Sequence, residues 1–208
     1  MTQPTTRERI VEAVSGLLHA QGFPGTSLAA VQERAEVHGG SIYHFFRSKE
    51  RLLEATLERY SELLDPRIMD PAFAGSEDPI ERVFRVLDRY RASLLETDFA
   101  LGCPIGNLAL EMVDCGPEVR RRLAEDFELW ARRIEGCLEA AADRLPADVD
   151  RGRLAGFVLA VMEGAVLLAR GHRDIAPFDG AVAQLRDYFG RLAPTPNRKT
   201  DPRNGRKR

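Results

Sequence analysis

The feature that most constrains this chain is the segment from Gly22 to Arg51, GFPGTSLAAVQERAEVHGGSIYHFFRSKER. It reads as a helix, a tight turn and a second short helix with two opposed faces. On the second helix, Ile42, Phe45 and Phe46 share one side by i, i+3, i+4 spacing. Gly40, Tyr43, His44 and Arg47 share the other. The first side is apolar enough to dock on a core. The second offers hydrogen-bonding and cationic groups on a backbone bared by Gly39 and Gly40. A helix that enters the DNA major groove needs such a pair of faces.

The segment resembles the DNA-binding domain of the TetR family of bacterial repressors. The resemblance rests on Thr26, Ser27 and Leu28 at the start of one helix, on the G-S-I-Y-H-F-F run from Gly40 to Phe46, and on the S-K-E-R-L-L run from Ser48 to Leu53. It covers about the first quarter of the chain. It implies an all-α fold, a helix-turn-helix head at 1–50, a larger helical effector-binding and dimerisation domain at 51–193, and a tail at 194–208. It further implies a homodimer that binds an operator in double-stranded DNA and is released by a small molecule.

Affinity for DNA comes largely from phosphate neutralisation, and specificity from base edges. Ser41 has a hydroxyl near a helix N-terminus, where backbone N–H groups attract anions. Tyr43 has reach and a phenol donor. Lys49 opposes the dipole of the helix it begins, which is better explained by an anion nearby. The resemblance assigns phosphate contacts to Tyr43 and Lys49. His38, His44 and the backbone at Gly39 and Gly40 are the candidates for base contact. Arg47 suits either role, and Thr26 and Ser27 complete the set. Two positions depart from the family pattern. Glu36 stands in the turn where Gly is common, which predicts backbone strain. Gly39 stands where a polar or basic side chain is frequent, which removes one base contact.

Length and composition narrow the rest. The 208 residues suit one large domain or two small ones. At 44% apolar residues, a sizeable core is expected. No run of 18 or more apolar residues occurs, so no membrane span is expected. The N-terminus lacks the apolar stretch of a secretory signal, which predicts a cytoplasmic protein. Cys103, Cys115 and Cys137 lack C-x-x-C spacing, so neither a disulfide framework nor a metal site is expected. No cofactor is expected either. Residues 191–208 hold seven basic groups against one acidic, a surplus of six. The whole chain is at −2, so the remainder carries −8. An acidic body must bind DNA through placed cations. The tail, Pro-, Asn- and Arg-rich, reads as disordered and as a source of sequence-independent affinity. All but three of the 30 basic residues are arginines, which points to a GC-rich genome.

Nine helices are predicted and no strands. The first begins at a Thr5-x-x-Glu8 capping box and ends at Gly22, with Phe23–Gly25 as a turn. The second runs from a Thr26 or Ser27 cap to about Ala35. The third is the reading helix. The fourth runs from a Ser48 cap to about Leu64. Asp65 to Pro79 reads as a connecting loop. A fifth helix spans Ile80 to about Glu96, and a sixth opens at Gly102-Cys103-Pro104 and ends near Asp114. The seventh runs from Glu118 to about Leu145, the eighth from Arg151 to about Ala169, and the ninth from Pro177 to Leu192.

The eighth helix is too apolar for one packing face. Its Phe157, Ala160, Gly164, Ala165 and Leu168, with Val182, Leu185 and Phe189 of the ninth, are the expected dimer interface. Packing of both helices inside one monomer is the alternative. Gly102 to Leu123 is similar to a subgroup of TetR-like repressors with a G-C-hydrophobic-x-N-x-x-x-E pattern. That subgroup includes multidrug-type and flavonoid-responsive members and some that sense electrophiles through cysteine. Asn107 and Glu111 lie at i, i+4 and would orient a ligand or the helix itself. Phe84, Tyr90, Phe127, Trp130 and Met162 are candidate pocket walls, each also a candidate for plain core. Glu163 is a charge in an apolar helix and needs either an Arg partner or a ligand. Cys103, at a helix N-terminus, is either a thiol of lowered pKa or an idle one. A helical enzyme finds no support in any nucleophile–base pair, metal-ligand pair or phosphate loop. A ligand-free DNA-organising protein would differ by binding all sequences alike.

Overall fold

The computed structural model describes residues 3–112 and 115–192, and among these there are ten α-helices and no strand. Helix α1 spans Thr6–Gly25, α2 Leu28–Ala35, α3 Gly39–Phe45 and α4 Lys49–Leu64. Next come α5 at Asp70–Ala74, α6 at Pro79–Glu96, α7 at Pro104–Glu111 and α8 at Pro117–Ala140. Helices α9 at Arg151–His172 and α10 at Ala176–Leu192 complete the fold. The expected tail beyond 193 and the expected end of the sixth helix near Asp114 lie outside the described residues.

Caps fix most of the starts. Thr5 and Glu8 form the expected capping box, with Glu8 N–H donating to Thr5 Oγ1 at 3.2 Å and Thr5 N–H to Glu8 Oε2 at 2.7 Å. Ser27, Ser48 and Asp150 cap α2, α4 and α9 by half of that arrangement, each side-chain oxygen accepting from the backbone N–H three residues on. Pro79, Pro104 and Pro117 occupy the first positions of α6, α7 and α8, where a missing N–H costs nothing.

The stretch from Asp65 to Pro79 is not the connecting loop its composition predicted. Helix α4 runs on into a π turn, Asp65–Met69, where Asp70 N–H donates to Asp65 O, and then into α5. Pro66 and Pro71 sit in first-turn positions, so neither breaks the chain of helices. Met69 and Ala72 are buried there and hold the segment on the core. Helix α8 stops at Ala140, short of Leu145, and a 3-10 turn covers Ala142–Arg144. Helix α9 runs three residues past Ala169 and ends where Arg173 turns left-handed at φ 51°.

By length and composition α9 would pass for a membrane span, although Glu163 breaks its apolar run well short of 18 residues. Leu154, Ala155, Val158, Leu159, Met162, Ala165, Val166 and Ala169 are instead buried inside the protein. They pack between α8 and α10, with α6 beneath. Phe84, Leu87, Leu94, Leu108, Leu138, Met162 and Phe178 are among the largest side chains shut away in this body. Each is worth about 1.5–3 kcal/mol of burial.

Candidate nucleic-acid interface and effector site

The reading helix α3 is positioned from below by Ile42 and Phe46, both buried. Val31 and Ala35 of α2 and Ile10 and Val14 of α1 belong to the same core. Phe45, expected beside them, is 41% exposed and lies edge-on to His44 at 5.0 Å between centroids. It is the last residue of a seven-residue helix, so the rotation that buries Ile42 and Phe46 carries it off the docking face. Tyr43 is 62% exposed. His38, Gly40, His44, Arg47 and Lys49 are also exposed, while Gly39 and Ser41 are half-buried. All the expected contact residues of α3 therefore stand on the head's outer side or its margin.

The turn between α2 and α3 carries the predicted strain. Glu36 caps α2 at φ 53°, ψ 50°, in the left-handed region that favours glycine. Such a residue costs about 1–2 kcal/mol. Three groups are less free than the sequence alone implies. Thr26 donates its hydroxyl to Gly22 O at 2.7 Å, so its one side-chain donor is committed. Ser27 Oγ accepts from Ala30 N–H at 3.1 Å and keeps its own proton for an outside acceptor. Lys49 Nζ lies 3.7 Å from the Phe23 ring centroid, so the cation at the start of α4 already has a π partner.

The head is tied to the body through α1 and α7. Gly22 breaks α1 at φ +73°, ψ 178°, the break the sequence predicted, although one more helical turn, Phe23–Gly25, follows it. A side chain at Gly22 would run into the Glu111 carboxylate. The kink frees the Phe23 N–H, and Glu111 Oε2 accepts it at 2.6 Å. At the other end of α7, His19 Nε2 is 2.8 Å from Gly102 O. Burial holds the His19 pKa below its usual value, which keeps the ring neutral and leaves Nε2–H as the donor to that carbonyl.

A cavity of about 180 Å³ lies at this junction. Ser15 and His19 of α1, Tyr60 of α4, Tyr90 of α6, Cys103 at the start of α7 and Trp130 of α8 line it. Tyr90 and Trp130 stack obliquely, their centroids 5.3 Å apart. A separate outer groove of about 280 Å³ is lined by Cys103, Asn107, Phe127 and Glu163, with Leu110 and Leu167 at its rim. Cys103 is common to the walls of both.

The expected effector residues thus divide. Tyr90, Cys103 and Trp130 line the inner cavity, while Asn107, Phe127 and Glu163 face the outer groove. Phe84 is core: Phe189 meets it edge-on at 5.5 Å and Arg186 covers it at 4.0 Å. Met162 is fully buried and lines neither space. Glu111 lines neither of these two spaces and instead anchors α1. Asn107 Oδ1 accepts from Arg170 Nη1 at 2.6 Å, which orients α9 on α7. Glu163 has no ion pair among the described residues, so of its two expected partners the Arg is absent, and its buried Oε1 has no hydrogen bond. Burial raises its pKa. Of the two readings of Cys103, the burial of its thiol favours the idle one. Its sulfur accepts from Gly106 N–H at 3.4 Å, as a helix cap should. Burial, and then the neighbouring Glu163 carboxyl, nevertheless push the thiol well above its usual pKa and outweigh the helix terminus.

Composition gave no sign of Asp126. It is buried in the α4–α8 seam, where Ser61 donates to its Oδ1 while Oδ2 has no partner. Burial pushes its pKa up to about 6. Ser15 and His19 were also missed. With Val11 they form an i, i+4, i+8 line beside the apolar stripe of α1, and that line was the available signal.

The expected dimer face also divides. Ala165, Leu185 and Phe189 are buried within the monomer. Phe157, Ala160 and Leu168 point outward, and Gly164 and Val182 are half-buried. Phe157, Leu167, Leu168 and Tyr188 are 44–54% exposed, and Phe157 and Tyr188 meet edge-on at 5.6 Å.

Residues 10–56 match the family described as bacterial regulatory proteins of the tetR family, and residues 79–185 match the tetracyclin repressor-like C-terminal domain. An uncharacterized HTH-type transcriptional regulator of Mycobacterium tuberculosis is 32% identical, over 92% of this chain and 97% of its own. A TetR transcriptional regulator from Chloroflexus aurantiacus superposes with a TM-score of 0.78 at 31% identity, over 90% of this chain and 96% of that one. The reduced form of Escherichia coli NemR, an HTH-type transcriptional repressor, gives 0.76 at 26% identity, over 93% and 100%.

Proposed function

The chain belongs to the TetR family, whose members are DNA-binding transcriptional regulators and not enzymes, and on that premise we propose that it is a cytoplasmic homodimeric repressor released from its operator by a small molecule. The head at 1–50 reads DNA. Tyr43, Lys49, Ser41 and Ser27 hold phosphates, and His44, His38 and the Gly39–Gly40 backbone meet base edges, with Arg47 at either. The body at 51–193 holds the effector and the dimer contact. Two heads spaced by roughly 34–36 Å would fit successive turns of one groove.

One observation carries the effector reading. The inner cavity has α1 of the head as one wall and the start of α7 as another. Helix α7 is fastened to α1 at both ends, by His19 and by Glu111. A molecule filling the cavity must push on the contact that sets the head's angle. A coupling of about 1–3 kcal/mol would change DNA affinity about 5–150-fold. The dimer reading rests on the exposed apolar patch of α9 and α10, which a lone monomer would leave in water.

Trp130 is the only tryptophan of the chain and lines the cavity, so its fluorescence reports occupancy. A duplex selected from a random pool supplies the operator. Compounds that quench Trp130 should release that duplex. Quenching throughout a compound screen with no release would overturn the effector reading and leave DNA binding alone.

A further inference from the structure

We infer that the cavity between α1 and α7 takes a small monocarboxylate with a compact apolar body. The proposal rests on the effector reading for the site's role, and on the wall chemistry for the ligand's class.

The apolar side of the cavity is supplied by Leu64, Ile68, Tyr90, Ile105 and Trp130. The polar side holds more free donors than free acceptors. Arg67 and Arg89 stand at the mouth, and Ser15 and Ser93 contribute hydroxyls. Glu12 is the only carboxylate in the lining, and it is already engaged by Arg59 at 3.2 Å and Arg67 at 3.6 Å. Tyr60 donates its hydroxyl to Ser15 O at 2.6 Å, and His19 is held by Gly102 O. Arg89 makes no ion pair within 4.0 Å among the described residues. Ser15 is buried, and its hydroxyl has no hydrogen-bond partner. An unmatched donor in a wall calls for an acceptor.

Two guanidiniums against one carboxylate leave the lining with a single surplus positive charge. A cation is therefore repelled, and one anionic group is balanced. Guanidinium is a planar fork of donors with no acceptor, and carboxylate is its geometric complement. Size limits the remainder. The cavity of about 180 Å³ is about the liquid volume of six waters. It falls below the range of about 300–1,000 Å³ that holds drug-sized ligands. A single ring or a short branched chain fits, and a fused multi-ring compound does not.

The test uses the full chain and two matched series, benzoate with benzamide and benzyl alcohol, and hexanoate with hexanamide. Binding is read by Trp130 quenching and by calorimetry. At least one acid should bind about 10–100-fold more tightly than its neutral partners, the range for a charge-assisted hydrogen bond. The Arg67→Gln, Arg89→Gln double variant should abolish that preference, and Ser15→Ala should weaken the acid severalfold. Neutral probes binding as well as the acids would overturn the proposal, as would no binding by either acid at millimolar concentration. The two readings fail separately. If an amide quenches Trp130 and releases the selected duplex, the effector reading stands and the carboxylate class falls. If an acid binds through the arginines and the duplex stays bound, the class stands and the effector reading falls.

Discussion

The DNA-reading head and the helical body contrast in where their chemistry comes from. In the head, every proposed contact lies between Thr26 and Lys49, from the cap of α2 to the first residue of α4. Where the body meets the head, one small cavity draws Ser15, Tyr60, Tyr90, Cys103 and Trp130 from five different parts of the chain. The head's faces are set by helical period, so a window of thirty residues contains the whole argument. The body's faces are set by which helix lies against which, and no window contains that. The head is a motif, and the body is a packing solution.

The largest expected effect tests how that packing divides α9 and α10. Ala165→Asp or Leu185→Asp places a charge in the monomer's core and should abolish cooperative folding, a loss of more than about 4 kcal/mol. Leu168→Asp or Tyr188→Asp, on the outer side, should leave circular dichroism unchanged and give monomers by sedimentation. A folded protein from Ala165→Asp would mean that the inner and outer sides have been confused.

The next effect tests the head as a local unit. Tyr43→Ala combined with Lys49→Ala should lower DNA affinity by more than about 100-fold in the dimer and reduce the salt slope by about two. The loss should be the same on selected and scrambled duplexes. His44→Ala should cost about 1–3 kcal/mol per site on the selected duplex only. Unchanged affinity of the double variant across several salt concentrations would refute the docking of α3.

A smaller effect lies inside the body, in the seam between α4 and α8. The Asp126 carboxyl titrates near pH 6 when folded and near about 4 when unfolded. The folded state therefore binds the proton more tightly. The stability this group contributes is complete below about pH 4 and is lost as pH rises through about 6. Asp126→Asn should gain roughly 2 kcal/mol over wild type at pH 7.5, and the gain should vanish by pH 4. Chemical denaturation of both proteins at several pH values measures the difference. A gain that does not change with pH would remove the titration from the account.

The smallest effect concerns the link itself. Glu111→Gln keeps the shape at the Gly22 kink but weakens the acceptor for Phe23 N–H. Affinity of the ligand-free protein for the selected duplex should change little. Release by a cavity ligand should require more ligand, because α7 then pulls less firmly on α1. An unaltered release curve would leave His19 as the working tie.

Particular residues show how far the sequence reached. The reading helix, the αL strain at Glu36 and the kink at Gly22 follow from local rules, and each is found where those rules place it. Phe45 departs because α3 ends there and Phe46 is already extended, so helical spacing no longer places the two side chains on one face. Asn107 and Glu111 share a helix face by spacing, yet one orients Arg170 and the other caps the kink of α1. Spacing gives direction from the axis, not the neighbour in that direction.

The sequence by itself determined the all-helical class, the family, and the side of α3 that is left exposed. These depend on period, caps and a contiguous motif, all of which act within a few turns of chain. Only the tertiary structure decided that Cys103 is shut between two spaces, that Asp126 is a buried acid, and that Ala165 faces inward while Leu168 faces out. Burial is a property of the assembled neighbours. A thiol at a helix start is activated or silenced by the dielectric around it, and residues from five other helices line the two spaces beside this one.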